Sequence, residues 1–386
     1  MLPDVDVLIL GGGCAGLSLA RELASSGAGC PSTLVVEPRP HYVNDRTWCF
    51  WAADDAPLVS LAQHRWQSVS VRADGRQVDV DCGRTPYRMI KSSAFYDHAL
   101  AGMAGNPAIA LERGTGVVSA PRHVDGAWSV ETTAGVRRGR FLVDTRPQAT
   151  PGSARSLLWQ SFVGREIHTA RPVFDPSRAM LMDFTGDDIA GKDDIFFTYV
   201  LPTSAHRALV EVTAFSRRPI AADVLGARLD RQIARRTGAG GFNVVRTEAG
   251  VLPMGLARPA IAQSPNMVCA GLMHGAARPA SGYAFQRIQS WAVACAAQLV
   301  LRHAPIGHDA DPLLIRAMDR LFLSVLRNRP QIAPALFLRL FERTDPTRVI
   351  RFLSDRASLA DCCGVIAGLP ARPFLVQLAR ALGPAR

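Results

Sequence analysis

Apolar positions are spaced in three different ways along the 386 residues. Near the N-terminus the run Val5-Asp-Val-Leu-Ile-Leu10 is short and dense, as a strand covered on both faces requires. Residues 14–27 read as a helix closed by Gly27, and Thr33-Leu-Val-Val-Glu37 reads as a second dense strand stopped by Pro38. Together they predict a βαβ unit of a parallel sheet. In the middle of the chain the period shortens to two. Residues 67–72 and 77–81 alternate around Asp74-Gly75, a hairpin signal, and 128–133 and 139–143 flank another glycine turn. Residues 195–201 and 208–215 read as strands joined by a polar turn. Such antiparallel pieces predict a sheet that roofs a ligand cavity. From about residue 287 apolar positions recur at three and four, over 311–326 and 332–342, with Pro330, Pro346 and Pro370 as punctuation. No internal repeat or low-complexity segment interrupts this order.

The turn between the first strand and helix is Gly11-Gly12-Gly13-Cys14-Ala15-Gly16. Glycine at 11 permits the tight turn, at 13 a close backbone approach to a pyrophosphate, and at 16 close packing of helix on strand. The helix N-terminus presents free N–H groups and partial positive charge to phosphates. Glu37 follows Gly16 by 21 residues (37 minus 16), at the end of the next strand, where a carboxylate accepts from ribose hydroxyls. A second block, 268–289, runs from a short apolar strand through Gly271, Gly275, Pro279 and Gly282 into a helix. Gly282 allows a flat ring close to the backbone, and the block also reads as an ordinary strand-to-helix loop. Paired with the first block, it favours one shared ligand site.

Composition narrows the classes. Apolar residues make up 48% and charged residues 20%, enough for a large core and too few charges for global disorder. No window of 18 uninterrupted apolar residues occurs; the nearest stretch, 291–301, contains Gln298. That argues against a transmembrane helix and leaves membrane-surface binding open. The N-terminus shows no positive segment ahead of an apolar stretch, so no secretory signal is expected. The net charge is +11, and only Lys91 and Lys192 are lysines. Residues 301–386 carry 13 Arg against 7 Asp and Glu, a local +6. Positive charge attracts anionic lipid and nucleic acid alike, but no basic run is interleaved with aromatics, so nucleic acid is not expected. The eight cysteines show no Cys-x-x-Cys and no zinc spacing, so reduced thiols and no metal are expected.

Glu211, in Ala-Leu-Val-Glu-Val-Thr-Ala-Phe, is the candidate acid. A carboxylate facing an apolar cavity is costly to ionise, so its pKa rises and it can donate a proton. Leu209, Glu211 and Thr213 share one parity, so the same pattern also fits a strand with Glu211 in solvent. His274 reads as a proton shuttle or as a structural loop residue. Asp45 and Arg46 precede Trp48-Cys49-Phe50-Trp51, which reads as core or as the wall of an apolar tunnel. Asp144-Thr-Arg-Pro147, after the strand at 139–143, falls where a cofactor crevice closes.

These residues resemble the bacterial flavoprotein-type lycopene β-cyclases. The resemblance extends over most of the chain, in order: the first glycine block with Glu37, Asn44-Asp-Arg-Thr-Trp-Cys-Phe-Trp51, Tyr87-Arg-Met-Ile-Lys-Ser-Ser-Ala-Phe95, Asp144-Thr-Arg-Pro147, Phe197-Thr-Tyr-Val-Leu-Pro202, Val210-Glu-Val-Thr213 and Glu248-Ala-Gly-Val-Leu-Pro253. The block at 271–286, Arg351-Phe-Leu-Ser354 and Gly368-Leu-Pro370 follow. The resemblance implies an α/β fold: a Rossmann-like FAD-binding domain of flavin monooxygenase type (1–65, 85–150, 250–300), an antiparallel-sheet substrate domain (66–84, 151–249) and a helical C-terminal region (301–386).

It implies a non-redox isomerase that needs reduced FAD, with NAD(P)H as reductant. Gly11, Gly13, Ala15, Gly16 and Glu37 would hold the cofactor, with Gly275, Pro279 and Gly282 near the isoalloxazine. The substrate is a carotenoid, lycopene, whose acyclic ends become β-ionone rings by proton addition, cation cyclisation and proton loss. The family's acidic motif falls on Glu211; many relatives carry a second acid at the position of Val212, and here it is absent. A lipid-borne substrate implies peripheral contact with the inner face of the cell membrane, through the Arg-rich tail. An FAD-dependent monooxygenase, a polyprenyl reductase or a non-enzymatic carotenoid-binding flavoprotein would share the same fold signals.

Overall fold

The computed structural model describes residues 4–147, 156–186, 193–255 and 266–382, apart from the side chains of Ala239, Ala381 and Leu382. The first sheet is built around Val5–Leu10, fully buried from Val7 to Leu10 and flanked in parallel by Thr33–Glu37 and Gly135–Asp144. Ile109–Arg113 forms one side, and Ala127–Thr132 with Arg122–Val124 extends the other as an antiparallel meander. The short strand Met267–Cys269 pairs with Leu142–Asp144. That pairing brings the second glycine block to the carboxyl end of the sheet, beside the first.

The helix Cys14–Ala24 packs on Phe285–Val300 through Leu17, Leu23, Ile288, Trp291 and Cys295. It ends three residues before the expected Gly27, because the Asn106 side chain and Ser25 take over its last carbonyls. The expected strand at 139–143 begins at Gly135; Gly139 lies inside it, where a Cβ would sit 2.7 Å from the Leu8 side chain.

The second sheet runs Phe242–Met254, Leu158–Thr169, Arg207–Ser216, Ile195–Ser204, Arg178–Asp183, Ser68–Ala73 and Arg76–Asp81 in spatial order. The hairpin at Asp74-Gly75 has positive φ at both residues, 52° and 71°. Sequence pattern did not anticipate Leu158–Thr169, Phe242–Met254 or the helix Ala222–Thr237. The last of these explains why. Leu225, Leu229 and Ile233 cover Val163, Val210 and Val212, so a face that would read as outer is a second core. The Phe242–Met254 strand belongs wholly to this sheet, so the sheet continues beyond residue 250, where the sequence placed a boundary.

A small sheet, Thr47–Trp51 with Tyr87–Lys91 and His64–Trp66, gives Trp51, Trp66 and Tyr87 to one core and Phe50 and Ile90 to the other. The C-terminal helices Leu313–Asn328, Ala333–Arg343, Pro346–Leu353, Leu359–Gly368 and Ala371–Leu382 pack Leu323, Phe337 and Phe341 against Leu209, Phe197 and Phe215 of the second sheet. Asp345 caps one helix, with Pro346 at its first position, and Ser358 with Asp361 forms a capping box on the next. A buried ion pair, Arg278 with Asp319 at 3.3 Å, joins the second glycine block to the C-terminal helices; Arg278 also donates to the Phe352 carbonyl.

Candidate functional site

A cavity of about 1010 Å³ runs from the first glycine turn, across the inner face of the second sheet, to the C-terminal helices. It is at the upper end of the range for small-ligand sites, which is about 300–1,000 Å³. Gly13, Cys14, Thr145, Arg146, Met273 and Gly282 line one end. Ile366, Leu375 and Leu378 line the other and are also 53%, 61% and 42% exposed, which marks that end as a mouth.

At the inner end the geometry of the glycine turn is demanding. Gly11 has φ +95°, and a Cβ on Gly16 would lie 1.9 Å from the Gly11 carbonyl oxygen. A Cβ on Gly13 would meet nothing within 4 Å, so space opens above the N-terminus of the helix. Thr145 Oγ1 donates toward the carbonyls of Leu10 and Gly11 (2.9 Å each) and holds the crevice edge. Glu37 is buried and accepts from Gly12 N–H at 2.7 Å and from Arg39 Nε at 2.7 Å, so it braces the turn directly. Arg39 lines the cavity in front of it. Gly11, Ala15, Gly16, Glu37, Gly275 and Pro279 lie behind the lining, whereas Gly13 and Gly282 reach it. His274 is off the wall, and burial lowers its pKa. The aromatic run divides. Trp48, Cys49 and Trp51 face the cavity, and Phe50 stacks on Phe285 in the core.

The middle of the cavity holds Glu211. Its parity points inward, because the opposite face of its strand is covered by Ala222–Thr237. Four cavity-wall carboxylates are described: Asp45, Glu211, Glu248 and Asp319. Three are paired with arginine, Asp45 with Arg39, Glu248 with Arg246 and Asp319 with Arg278. Among the described residues Glu211 has no cation and is held by the Thr213 hydroxyl at 2.6 Å. Burial, and next the charge of Glu248, push its pKa up to about 8, against the pull of Thr213. It is therefore a neutral carboxylic acid at physiological pH.

The hydroxyl and thiol groups around it are also neutral. The Tyr87 hydroxyl meets that of Tyr199 at 2.8 Å and that of Tyr283 at 3.3 Å, and burial raises the pKa of all three. Burial pushes the Cys49 thiol up to about 12. The site thus offers one proton donor among aromatic faces and weak nucleophiles, which suits a short-lived cation. Sequence reasoning found Glu211 but assigned no role to Glu248, Thr213 or the tyrosine cluster. Their convergence depends on strand register, which no local spacing reveals.

Comparison with known proteins places this geometry. The family model described as lycopene cyclase protein matches residues 6–379. A lycopene beta-cyclase of Paracoccus sp. is 32% identical over 58% of this chain and 60% of the relative. The chloroplastic lycopene beta cyclase of Nicotiana tabacum is 23% identical over 73% of this chain and 58% of the relative, and a lycopene beta cyclase of Synechococcus elongatus is 26% identical over 72% and 68%. The matched region therefore spans about three fifths of the first two relatives. Among solved structures, a geranylgeranyl bacteriochlorophyll reductase-like protein of Thermoplasma acidophilum matches with a TM-score of 0.62 at 13% identity, over 98% of this chain and 99% of that one. A complex of aklavinone-11 hydroxylase with FAD and aklavinone matches with a TM-score of 0.58 at 16% identity, over 87% and 70%. The fold is thus of the FAD-binding flavoprotein type. With the family model matched along nearly the whole chain, this protein belongs to the lycopene cyclase family.

Proposed function

We propose that this chain is a flavin-dependent lycopene β-cyclase, an isomerase that turns acyclic carotene ends into β-ionone rings without net redox change. The observation that carries this reading is Glu211, a buried acid without a cation partner among the described residues, inside a long apolar cavity. The residues at the inner end fit FAD. Gly13 leaves an open cradle at a helix N-terminus, and the buried Gln160 Oε1 beside Gly282 lacks a partner that a ligand N–H would supply. Gly11, Gly13, Ala15 and Gly16 would carry the pyrophosphate turn, Glu37 would brace it, and Gly282 would border the flavin ring. When bound and reduced, FAD supplies electron density that stabilises nearby positive charge. NAD(P)H is the proposed physiological reductant, used to charge the flavin.

Glu211 donates its proton to the terminal double bond. The resulting tertiary cation is attacked by the neighbouring alkene, and loss of a ring proton completes the ring. Trp48, Trp51 and the tyrosine cluster exclude water and offer aromatic faces to the cation. The mouth would sit on lipid at the inner face of the cell membrane. Exposed Leu359, Ile366, Leu375 and Leu378 support that placement, with Arg372 and Arg380 on the last of these helices to meet anionic headgroups. No single described helix is long and apolar enough to cross a membrane; the pair Leu359–Gly368 and Ala371–Arg380, bent by 103°, reaches that measure only together.

The test is an anaerobic assay with lycopene in liposomes, FAD and a chemical reductant. The expected product has unchanged mass and one or two rings. A gain of two hydrogens, or of oxygen in an aerobic repeat, would replace this reading with a reductase or a monooxygenase.

A further inference from the structure

The second sheet brings four residues to one level on four adjoining strands. Tyr199 pairs with Glu211, Glu211 with Gly164, and Gly164 with Glu248. Residues directly opposite one another share a face, so the row Tyr-Glu-Gly-Glu lies on the cavity side of the sheet, with Tyr199, Glu211 and Glu248 in the wall itself. Glycine in the third place lets its neighbours close in. A Cβ on Gly164 would lie 3.2 Å from Leu209 Cδ1, 3.3 Å from Glu211 Cβ and 3.5 Å from Glu248 Cγ. The two carboxylates therefore flank one glycine, with the Leu209 side chain as its third close neighbour, and both line the cavity.

Their environments differ in kind. Among the described residues Glu211 has only the Thr213 hydroxyl. Glu248, equally buried, accepts from Thr47 Oγ1 at 2.9 Å and is ion-paired with Arg246. Behind it Arg246 also bonds Glu166, which is paired with Lys91 and with Arg207, whose side chain is 40% exposed. An alternating chain of charges thus runs from the cavity wall to the surface. Two carboxyl groups in one site, one lacking a cation and one paired with a guanidinium, are the arrangement that separates an acid from a base.

We propose that Glu248 is the second functional carboxylate of the site: it faces the cation throughout and accepts the ring proton that Glu211 did not supply. The inference rests on the cyclase reading. In the first step Glu211 loses its proton to the terminal alkene carbon. In the second, a new carbon–carbon bond closes the ring and moves the positive charge onto a ring carbon. In the third, the C–H electrons of the adjacent ring carbon become the ring double bond, and Glu248 takes the proton. Return of that proton to Glu211 between turnovers resets the pair, with no external reagent and no change of mass. The absent second acid at position 212 fits this scheme, because Val212 points to the other face, into the core beneath Ala222–Thr237.

Glu248→Gln tests the assignment. Flavin content and melting temperature are expected to hold, and the cyclisation rate to fall at least about 100-fold, the usual scale for losing a positioned base. A merely structural ion pair would leave product identity intact, so the decisive reading is chromatographic. Without its base the cation should lose other protons or capture water, which gives ring isomers with a displaced double bond or an alcohol. A second readout is the pH profile. The groups facing Glu211 are Thr213 on its own strand, Tyr199, Cys49 and Tyr87 from neighbouring strands, Tyr283 from the loop, and Glu248 with Arg246 behind it. Of these Glu248 raises Glu211's pKa, so the alkaline limb should move to lower pH in the variant.

A rate within about threefold of wild type with only β rings would overturn the proposal. Should the Gln variant lose flavin or fold, Glu248→Asp keeps the charge and withdraws it by one methylene; it should give a reduced rate and some misplaced double bonds, and β-only product at the wild-type rate would overturn the proposal equally. Wild-type protein that forms no ring in the same assay overturns the cyclase reading itself, a result separable from any difference between variants.

Discussion

At the residue scale, the proposed role of one carboxylic acid ties chemistry to stability. Glu211 titrates near pH 8 in the fold and near 4.3 in an unfolded chain. The folded state therefore holds the extra proton between those values, and stability falls as pH rises through that window. Activity follows the same proton: it should be level on the acid side and decline as pH passes about 8. Glu211→Gln should abolish ring formation with flavin still bound, because an amide keeps the shape and cannot donate as an acid. The same variant should melt higher than wild type at pH 9 and gain much less at pH 6. Equal gains at both values, read by thermal melting in matched buffers, would mean that Glu211 is not a buried neutral acid. Legibility at this scale was partial. The isolated acid in an apolar run was visible, but its facing direction was not, since a strand with both faces buried and a strand with one face in water share the same alternation.

At the element scale, the first strand–turn–helix shows two glycines needed for different reasons. Gly16→Ala would place a methyl group 1.9 Å from a carbonyl oxygen, so helix and strand must separate. A loss of about 1–3 kcal/mol in chemical unfolding and loss of bound flavin are expected together, as for overpacking elsewhere. Gly13→Ala meets open space and an ordinary φ of −80°. Stability should change by less than about 0.5 kcal/mol, while FAD content after purification should drop, since the methyl would enter the proposed phosphate cradle. If the two variants behaved alike, the turn would not be a phosphate cradle. The strands and glycine blocks of this unit were legible because each is set by local chemistry: dense apolar runs, φ values only glycine accepts readily, and a helix N-terminus. The long strands Leu158–Thr169 and Phe242–Met254 were not, because Gly164, Glu166, Glu248 and Gly250 break the apolar pattern. Nor was the helix Ala222–Thr237, whose buried Leu225, Leu229 and Ile233 form a narrow stripe among polar residues.

At the scale of the whole molecule, the cavity exists because two glycine blocks, one sheet and five C-terminal helices meet. Arg278 is the link. It is 1% exposed and joins Asp319, Asp355 and the Phe352 carbonyl, with its guanidinium 4.2 Å from the Phe352 ring centre. Asp319→Ala leaves that cation undercompensated and should cost about 3–5 kcal/mol. The second glycine block should loosen with the helices, so hydrogen exchange is expected to quicken in both 271–283 and 313–328. Exchange confined to the helices would show that Arg278 does not couple them. The mouth makes a separate prediction. Leu375→Asp with Leu378→Asp should reduce binding to anionic liposomes at least tenfold in a flotation assay and leave flavin content unchanged.

What the chain determined by itself is whatever short-range physics controls. The glycine turn after the first strand, the tight hairpin at Asp74-Gly75, the helical tail and the motifs that carry the likeness to the lycopene cyclases are each stretches of contiguous residues. What only the tertiary structure decided is which groups share one space. Strand pairing set Gly164 between Glu211 and Glu248, a helix on the far face turned Glu211 inward, and the packing of the tail gave an apolar cavity its mouth. Each of these depends on contacts between residues distant in sequence, where side-chain period fixes which face a residue occupies only after a neighbour has covered the other.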